Sequence, residues 1–185
     1  MHPDLAALSW PEQPPHAGAV ALRALGEGDV AMVRDLATDP YVPLIGSLPG
    51  HADEAQARDW IHRQQQRLRE GAGFTFAIAD AASGAGLGSI NLRCESAGQG
   101  RASVGYSVAP RSRGRGVAAD ALRALCGFAW TIGWLWRLEA YIEPANHAST
   151  RTACRAGFHR EGLLRSYMML GERRRDMLLY ALLRP

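Results

Sequence analysis

The stretch from Val104 to Ala119 (Val-Gly-Tyr-Ser-Val-Ala-Pro-Arg-Ser-Arg-Gly-Arg-Gly-Val-Ala-Ala) holds most of the recognisable chemistry of the chain. An alternating strand pattern stops at Pro110, a loop with Gly114 and Gly116 follows, and a helical pattern begins at Val117. These are the parts of an anion cradle. Glycines let the backbone approach a ligand closely, and the first N–H groups of a helix, which lack intrahelical acceptors, point outward at it. The helix dipole adds about 0.3–1 kcal/mol for an exposed anion. Arg111, Arg113 and Arg115 add full charges around the loop, so a diphosphate is the natural guest. A dinucleotide-binding GxGxxG turn belongs after the first strand of a parallel unit, whereas this loop follows an antiparallel meander.

The other residue types narrow the chemistry further. All 21 cationic side chains of the 185-residue chain are arginines. Without lysine there is no Schiff-base catalysis and no Walker A loop. Cys94, Cys126 and Cys154 form no CxxC pair and have no histidines at metal-ligand spacing, so they read as reduced core thiols of a cytoplasmic protein, with no metal site expected. No run free of charged residues exceeds 13 residues, too short to span a bilayer, and no signal peptide is apparent. Charge is unevenly divided, with a net −4 over residues 1–110 and +7 over 111–185. Such a split points to one half that handles an anion and one that tolerates a cation. The arginines cluster at the glycine loop and at a hairpin tip without interleaved aromatics, which argues against a nucleic-acid partner.

The elements that must position this loop follow from periodicity. Residues 1–18, rich in Pro and His, read as a flexible leader to a single domain over 19–185. Strands are expected at 19–25, 74–78, 87–94, 102–108, 137–142, 158–170 and 177–183, and helices at 29–37, 52–70, 117–132 and 148–156. Prolines and glycines mark 39–51 as a long loop, a length uncommon unless it serves a site. A meander running into a β-α-β-α-β tail indicates an α+β fold on a mixed, mostly antiparallel sheet.

Arg111-x-x-Gly114-x-Gly116 resembles the pyrophosphate loop of the GCN5-related N-acetyltransferases (GNAT), in their RimJ/RimL-like ribosomal-protein N-terminal acetyltransferase branch. The resemblance runs from about residue 17 to 183. It is carried also by Gly105-Tyr106-Ser107-Val108, Leu138-Glu139-Ala140, Pro144-x-Asn146-x-x-Ser149, Ala156-Gly157-Phe158, Glu161-Gly162 and Asp176. It implies a strongly twisted seven-stranded sheet with about four helices, splayed between the fourth and fifth strands around acetyl-CoA or another acyl-CoA. It further implies that Tyr106, Ser107 and Val108 meet the pantetheine arm and that Arg111, Arg113, Gly114, Arg115, Gly116, Val117 and Ala118 surround the diphosphate. Asn146 corresponds to a cofactor-binding asparagine and equally suits a helix N-cap. Ser149 falls where some relatives use a hydroxyl toward the departing thiolate, and Arg151 and Arg155 could meet the adenine or 3′-phosphate end.

Direct attack of an amine needs a proton acceptor. Glu139, Asp176, Glu143 and Glu161 are the candidates, with an ion pair to Arg173–Arg175 the other reading of Asp176. The sixth strand, where some relatives carry a carboxylate, has Tyr167, Met168 and Met169 instead. The acceptor side falls to residues 28–70, where Asp35, Asp39, Asp53, Glu54 and Asp59 suggest a cationic amine: a protein N-terminus, a basic peptide or a polyamine. Tyr41, Leu44, Ile45 and Trp60 read as an apolar wall. Trp130, Trp134 and Trp136 read as core or as a homodimer interface. The alternatives are a non-catalytic acyl-CoA-binding module and use of a longer acyl-CoA such as succinyl-CoA.

Overall fold

The computed structural model describes residues 8–185. Strands β1 (His16–Ala17) and β2 (Val20–Ala24) lead to helices α1 (Val30–Leu36), α2 (Val42–Ile45) and α3 (Glu54–Gln66). The meander β3 (Gly73–Asp80), β4 (Gly86–Arg93) and β5 (Arg101–Val108) follows, then α4 (Val117–Ala129), β6 (Arg137–Ile142), α5 (His147–Arg155), β7 (His159–Leu170) and β8 (Arg173–Leu183). The eight strands form one sheet in the order β1-β2-β3-β4-β5-β6-β8-β7. All neighbours are antiparallel except β5 and β6.

Apolar residues on both sides of the sheet create two cores. Phe74, Phe76 and Ile78 of β3, Ile90 and Leu92 of β4 and Leu138, Ala140 and Ile142 of β6 pack with Ala121, Leu122, Leu125 and Phe128 of α4. On the opposite face Val33 and Leu36 of α1 and Ala57, Trp60 and Ile61 of α3 cover Ala77 of β3. A strand covered on both faces needs a near-continuous apolar run, which Phe74–Ala79 supplies apart from Thr75, whose buried hydroxyl donates to Gln64 of α3. Helix α3 starts at a reciprocal cap: Gln56 N donates to Asp53 Oδ1 (2.8 Å) and Asp53 N to Gln56 Oε1 (3.0 Å).

The feature that creates a site is where β5 and β6 part. They pair only through Arg101–Arg137, Ala102–Leu138 and Ser103–Glu139. Beyond Ser103, β5 stays on β4 as far as Val108, while β6 stays on β8 as far as Ile142. The sheet therefore opens as a V whose facing edges carry backbone groups with no strand partner.

Several expectations change in detail. The sheet has eight strands rather than seven because His16–Ala17 pairs with Val20–Ala21. Residues 1–7 of the expected leader lie outside the described residues; from there Trp10 sets its ring edge-on to Phe76, with centroids 4.9 Å apart. The loop at 39–51 contains α2, with Pro43 in its first turn, where a fixed φ suits a helix start. Strand β8 begins at Arg173, so Asp176 lies in a strand rather than a turn. Cys154 is exposed rather than core, because α5 turns its neighbour Ala153 inward. Cys94 and Cys126 are buried, and burial pushes their thiols up to about 11 and about 12. Among the described residues no helix is long and apolar enough to cross a membrane.

Helix α1 is tied to the sheet by charge. The fully buried Asp29 carboxylate accepts from both terminal nitrogens of Arg23 on β2 (2.7 and 2.8 Å) and from Gly26 N (2.9 Å). Breaking a buried pair leaves an uncompensated charge. Asp29→Asn is expected to cost about 3 kcal/mol of stability, read as a lower urea midpoint with an unchanged slope.

Candidate active site

The loop after β5 folds as an anion cradle. Gly114 and Gly116 both sit at φ +79, a left-handed conformation that side-chain-bearing residues rarely adopt, and the space beside each is open. Among the described residues, the N–H groups of Gly114, Arg115, Gly116, Val117 and Ala118 donate to no protein acceptor. Five consecutive free donors at the start of a thirteen-residue helix fit a diphosphate. Gly114, Gly116, Val117 and Ala118 line a cavity of about 670 Å³ with Tyr106, Ser107 and Val108 of β5 and Asn146, Ser149, Arg151, Thr152 and Arg155 at α5.

The loop arginines behave less uniformly. Arg113 lines the cavity, but its Nε donates to Val108 O (2.9 Å) and its guanidinium pairs with Asp39. Arg111 Nε pairs with Asp35 of α1 at 2.9 Å, away from the cavity, and Arg115 also lies outside its wall. The unpaired guanidiniums on this wall are those of Arg151 and Arg155.

A second cavity, of about 210 Å³, continues from the first across the V toward α1–α3. Tyr41, Val42, Ile45, Tyr106, Ser107, Glu143, Asn146 and Ser149 line both, so they stand at the junction. There the Tyr106 hydroxyl and Ser149 Oγ are 2.7 Å apart, and Tyr106 Oη also donates to Ser149 O (3.1 Å). Burial raises the Tyr106 pKa despite these bonds. Asn146 Oδ1 accepts from Ser149 N at 3.0 Å, capping α5. Burial, followed by the neighbouring Glu143 carboxylate, pushes the Tyr41 phenol up to about 12. Tyr41 is thus a permanent hydroxyl donor at the junction.

The structure separates the four carboxylate candidates. Only Glu143 lines the cavities; it lies 3.5 Å from Arg175 Nε. Glu139 lies at the paired end of β6, buried, and accepts from Arg137 Nε (2.6 Å), Tyr141 Oη (2.7 Å) and Arg101 (3.3 Å). Glu161 pairs with Arg137. Asp176 accepts from Ser166 N (2.8 Å) at a bulge of β7, rather than pairing with the arginines beside it. Of the acids at 28–70, Asp35 and Asp39 neutralise Arg111 and Arg113, Asp53 caps α3, and Glu54 pairs with Arg58. Three cavity residues absent from the expected site are Arg67, Asn91 and Arg93. Their signal was available: Ser89, Asn91 and Arg93 place polar groups at every second position of an otherwise apolar strand.

Residues 20–159 match the Acetyltransferase (GNAT) domain model, and the chain belongs to that family of N-acetyltransferases. It is 28% identical over 165 residues to the uncharacterised N-acetyltransferase p20 of Bacillus licheniformis, covering 89% of this chain and 93% of that one. A GNAT-family acetyltransferase from Bacillus anthracis superimposes with a TM-score of 0.77 at 22% identity, over 92% of this chain and 98% of that one. RimJ of Mycobacterium smegmatis, solved in complex with a CoA disulfide, gives 0.76 at 27% identity, over 92% and 84% of the two chains.

The Glu139 cluster gives an acid-stability prediction. Burial alone would raise this carboxyl, but hydrogen bonds from Arg137 and Tyr141 and the charge of Arg101 hold it below the ordinary 4.5. A depressed folded pKa contributes stability that is present above the unfolded value and lost as pH falls through the folded one. The urea midpoint of Glu139→Gln is therefore expected to lie furthest below wild type near neutrality. The gap narrows once pH falls below about 4.5.

Proposed function

We propose that the chain transfers an acetyl group from acetyl-CoA to a primary amine by direct attack, without a covalent enzyme intermediate. The run of five free N–H donors from Gly114 to Ala118, beside the unpartnered edge of β5, carries this reading. The RimJ structure with its CoA disulfide supports it. Gly114, Arg115, Gly116, Val117 and Ala118 hold the diphosphate through their amides, with Arg151 and Arg155 offering charge to the remaining phosphate. The edge of Tyr106, Ser107 and Val108 pairs with the pantetheine arm, next to Asn146.

When bound, acetyl-CoA supplies a thioester whose carbon forms the new C–N bond as the C–S bond breaks, its electron pair leaving on sulfur. Glu143 accepts the proton that the amine nitrogen loses. The Tyr106–Ser149 hydroxyl pair returns a proton to the thiolate, and Tyr41 donates to Glu143 and orients it. Glu139 and Asp176 are structural in this scheme, because their oxygens are engaged away from both cavities.

Free-thiol release from acetyl-CoA across a panel of amines tests the reading: acceptor-dependent release supports it. Tight CoA binding without release across the panel favours a non-catalytic acyl-CoA-binding module. Gly114→Glu places a carboxylate in the cradle and is expected to weaken acetyl-CoA binding at least about tenfold, or ~1.4 kcal/mol by calorimetry. Arg111→Ala has a smaller effect, since its guanidinium holds Asp35. Glu143→Gln is expected to lower kcat by about 100-fold or more while acetyl-CoA affinity holds. An unchanged kcat would remove Glu143 from the proton path.

A further inference from the structure

The cavity on the acceptor side has an electrostatic pattern that the transfer chemistry does not require. Its floor is a polar stripe formed by two paired strands. Ser89, Asn91 and Arg93 of β4 stand opposite Ser107, Gly105 and Ser103 of β5. All six line the cavity. From Ser107, at the junction with the cofactor side, to Ser103 the strand advances four residues, roughly 13 Å at ~3.3 Å each. Arg93 stands at the far end, and Arg67, just past the C-terminus of α3, reaches the same cavity.

Neither arginine has a carboxylate partner among the described residues, and Arg67 Nε is buried without a hydrogen-bond acceptor. Elsewhere the molecule pairs its interior-facing guanidiniums: Arg23 with Asp29, Arg101 and Arg137 with Glu139, Arg113 with Asp39. The other unpaired arginines on a cavity wall, Arg151 and Arg155, face the proposed cofactor side. Burial, and then the like charge of Arg67, lowers the pKa of Arg93; the nearby Glu95 only partly offsets this. Leaving two partly desolvated cations side by side is unfavourable, and an oxyanion received between them removes the cost.

The rest of the cavity complements the other end of such a ligand. Among the described residues Glu143, beside the junction, is the only carboxylate on its wall. Midway, the Asn91 side-chain amide oxygen is buried without a donor. Gly105 leaves it room: a Cβ there would lie 3.2 Å from that oxygen. From the junction outward the wall thus presents a negative charge, an orphan acceptor and two positive charges.

We propose that the acceptor is a small amine carrying a carboxylate, with its amine at Glu143 and its carboxylate on Arg93 and Arg67. This rests on the acetyltransferase reading and replaces the cationic acceptor suggested by the acids of residues 28–70: Asp35, Asp39, Asp53 and Glu54 are engaged by other groups, and Asp59 lines neither cavity. A compact zwitterion also suits a cavity of about 210 Å³.

The test is thiol release from acetyl-CoA with β-alanine, γ-aminobutyrate, δ-aminovalerate, the L-amino acids and glycyl dipeptides, each against its own carboxamide, with spermidine as the cationic comparator. At least one carboxylate is expected to exceed its amide by about tenfold or more in kcat/KM, chiefly through KM. Arg93→Gln and Arg67→Gln bring that ratio toward one, and Arg93→Lys restores part of it. Circular dichroism and acetyl-CoA calorimetry establish that the variants fold. Equal use of carboxylates and amides, preference for spermidine, or an enzyme that binds acetyl-CoA yet turns over none of the carboxylates overturns the inference and leaves the cofactor site standing. Failure of the wild type to bind acetyl-CoA overturns the acetyltransferase reading and the inference with it.

Discussion

Strands β5 and β6 hold together for three residue pairs and then separate, and the functional architecture depends on that separation. A sheet satisfies its backbone donors and acceptors between neighbouring strands, so parting two central strands exposes groups that would otherwise be paired. Each parted strand keeps its other neighbour, β4 or β8, so the opening is held rigidly. The two cavities are the two sides of this one V, which is why Tyr106, Glu143, Asn146 and Ser149 line both. A ligand entering from the α4 side and one entering from the α3 side must meet at these residues.

Charge is organised around the same opening. With arginine the sole cationic side chain, every interior cation keeps its proton and presents a planar fork. Several structural arginines have a carboxylate, Asp29 for Arg23, Glu139 for Arg137 and Asp35 for Arg111, while Arg184 instead donates to the carbonyls of Trp130 and Gly133. Among the described residues two unpaired sets remain on the cavity walls, Arg151 with Arg155 on one side of the V and Arg67 with Arg93 on the other. The glycine loop itself presents free backbone N–H groups, while the side chains of Arg111 and Arg113 pair with carboxylates. This is economical in conformational terms, because the amides are already fixed by the helix while an arginine side chain must be ordered.

What the sequence made legible was the part determined locally. The turn from β5 through Pro110, Gly114 and Gly116 into α4 is written in consecutive residues, as are the helical stripe of α4 and the apolar run of β3. The directions of Arg111 and Arg115 were not legible, because they depend on which distant surface the loop meets; Asp35 is 76 residues away from Arg111. The surroundings of each carboxylate were not legible for a related reason. Glu139 of β6 and Glu143 just past its end stand at even spacing in the sequence, and nothing between them marks where β5 departs. Glu139 falls on the last paired rung, opposite Ser103, and is neutralised; Glu143 falls past the strand's end, in the open V. Conversely, the polar stripe at Ser89, Asn91 and Arg93 was written in the local pattern and was outweighed by the more conspicuous acids of residues 28–70.

One carboxylate joins the two sides. Asp39 accepts from Tyr41 N at 2.7 Å and pairs through its other oxygen with Arg113 of the glycine loop. Burial would raise its pKa, but the Tyr41 amide and the Arg113 guanidinium hold it below the ordinary carboxylate range, so it is ionised at neutral pH. The same contact therefore seats Tyr41, whose phenol stands between Glu143 and Asn146, and fixes Arg113 at the mouth of the cradle. The long proline-containing loop after α1 gains a physical reason from this. It must carry a hydroxyl to the junction and reach a cation on a loop 74 residues away, and the turn at Asp39 lets one side chain do both.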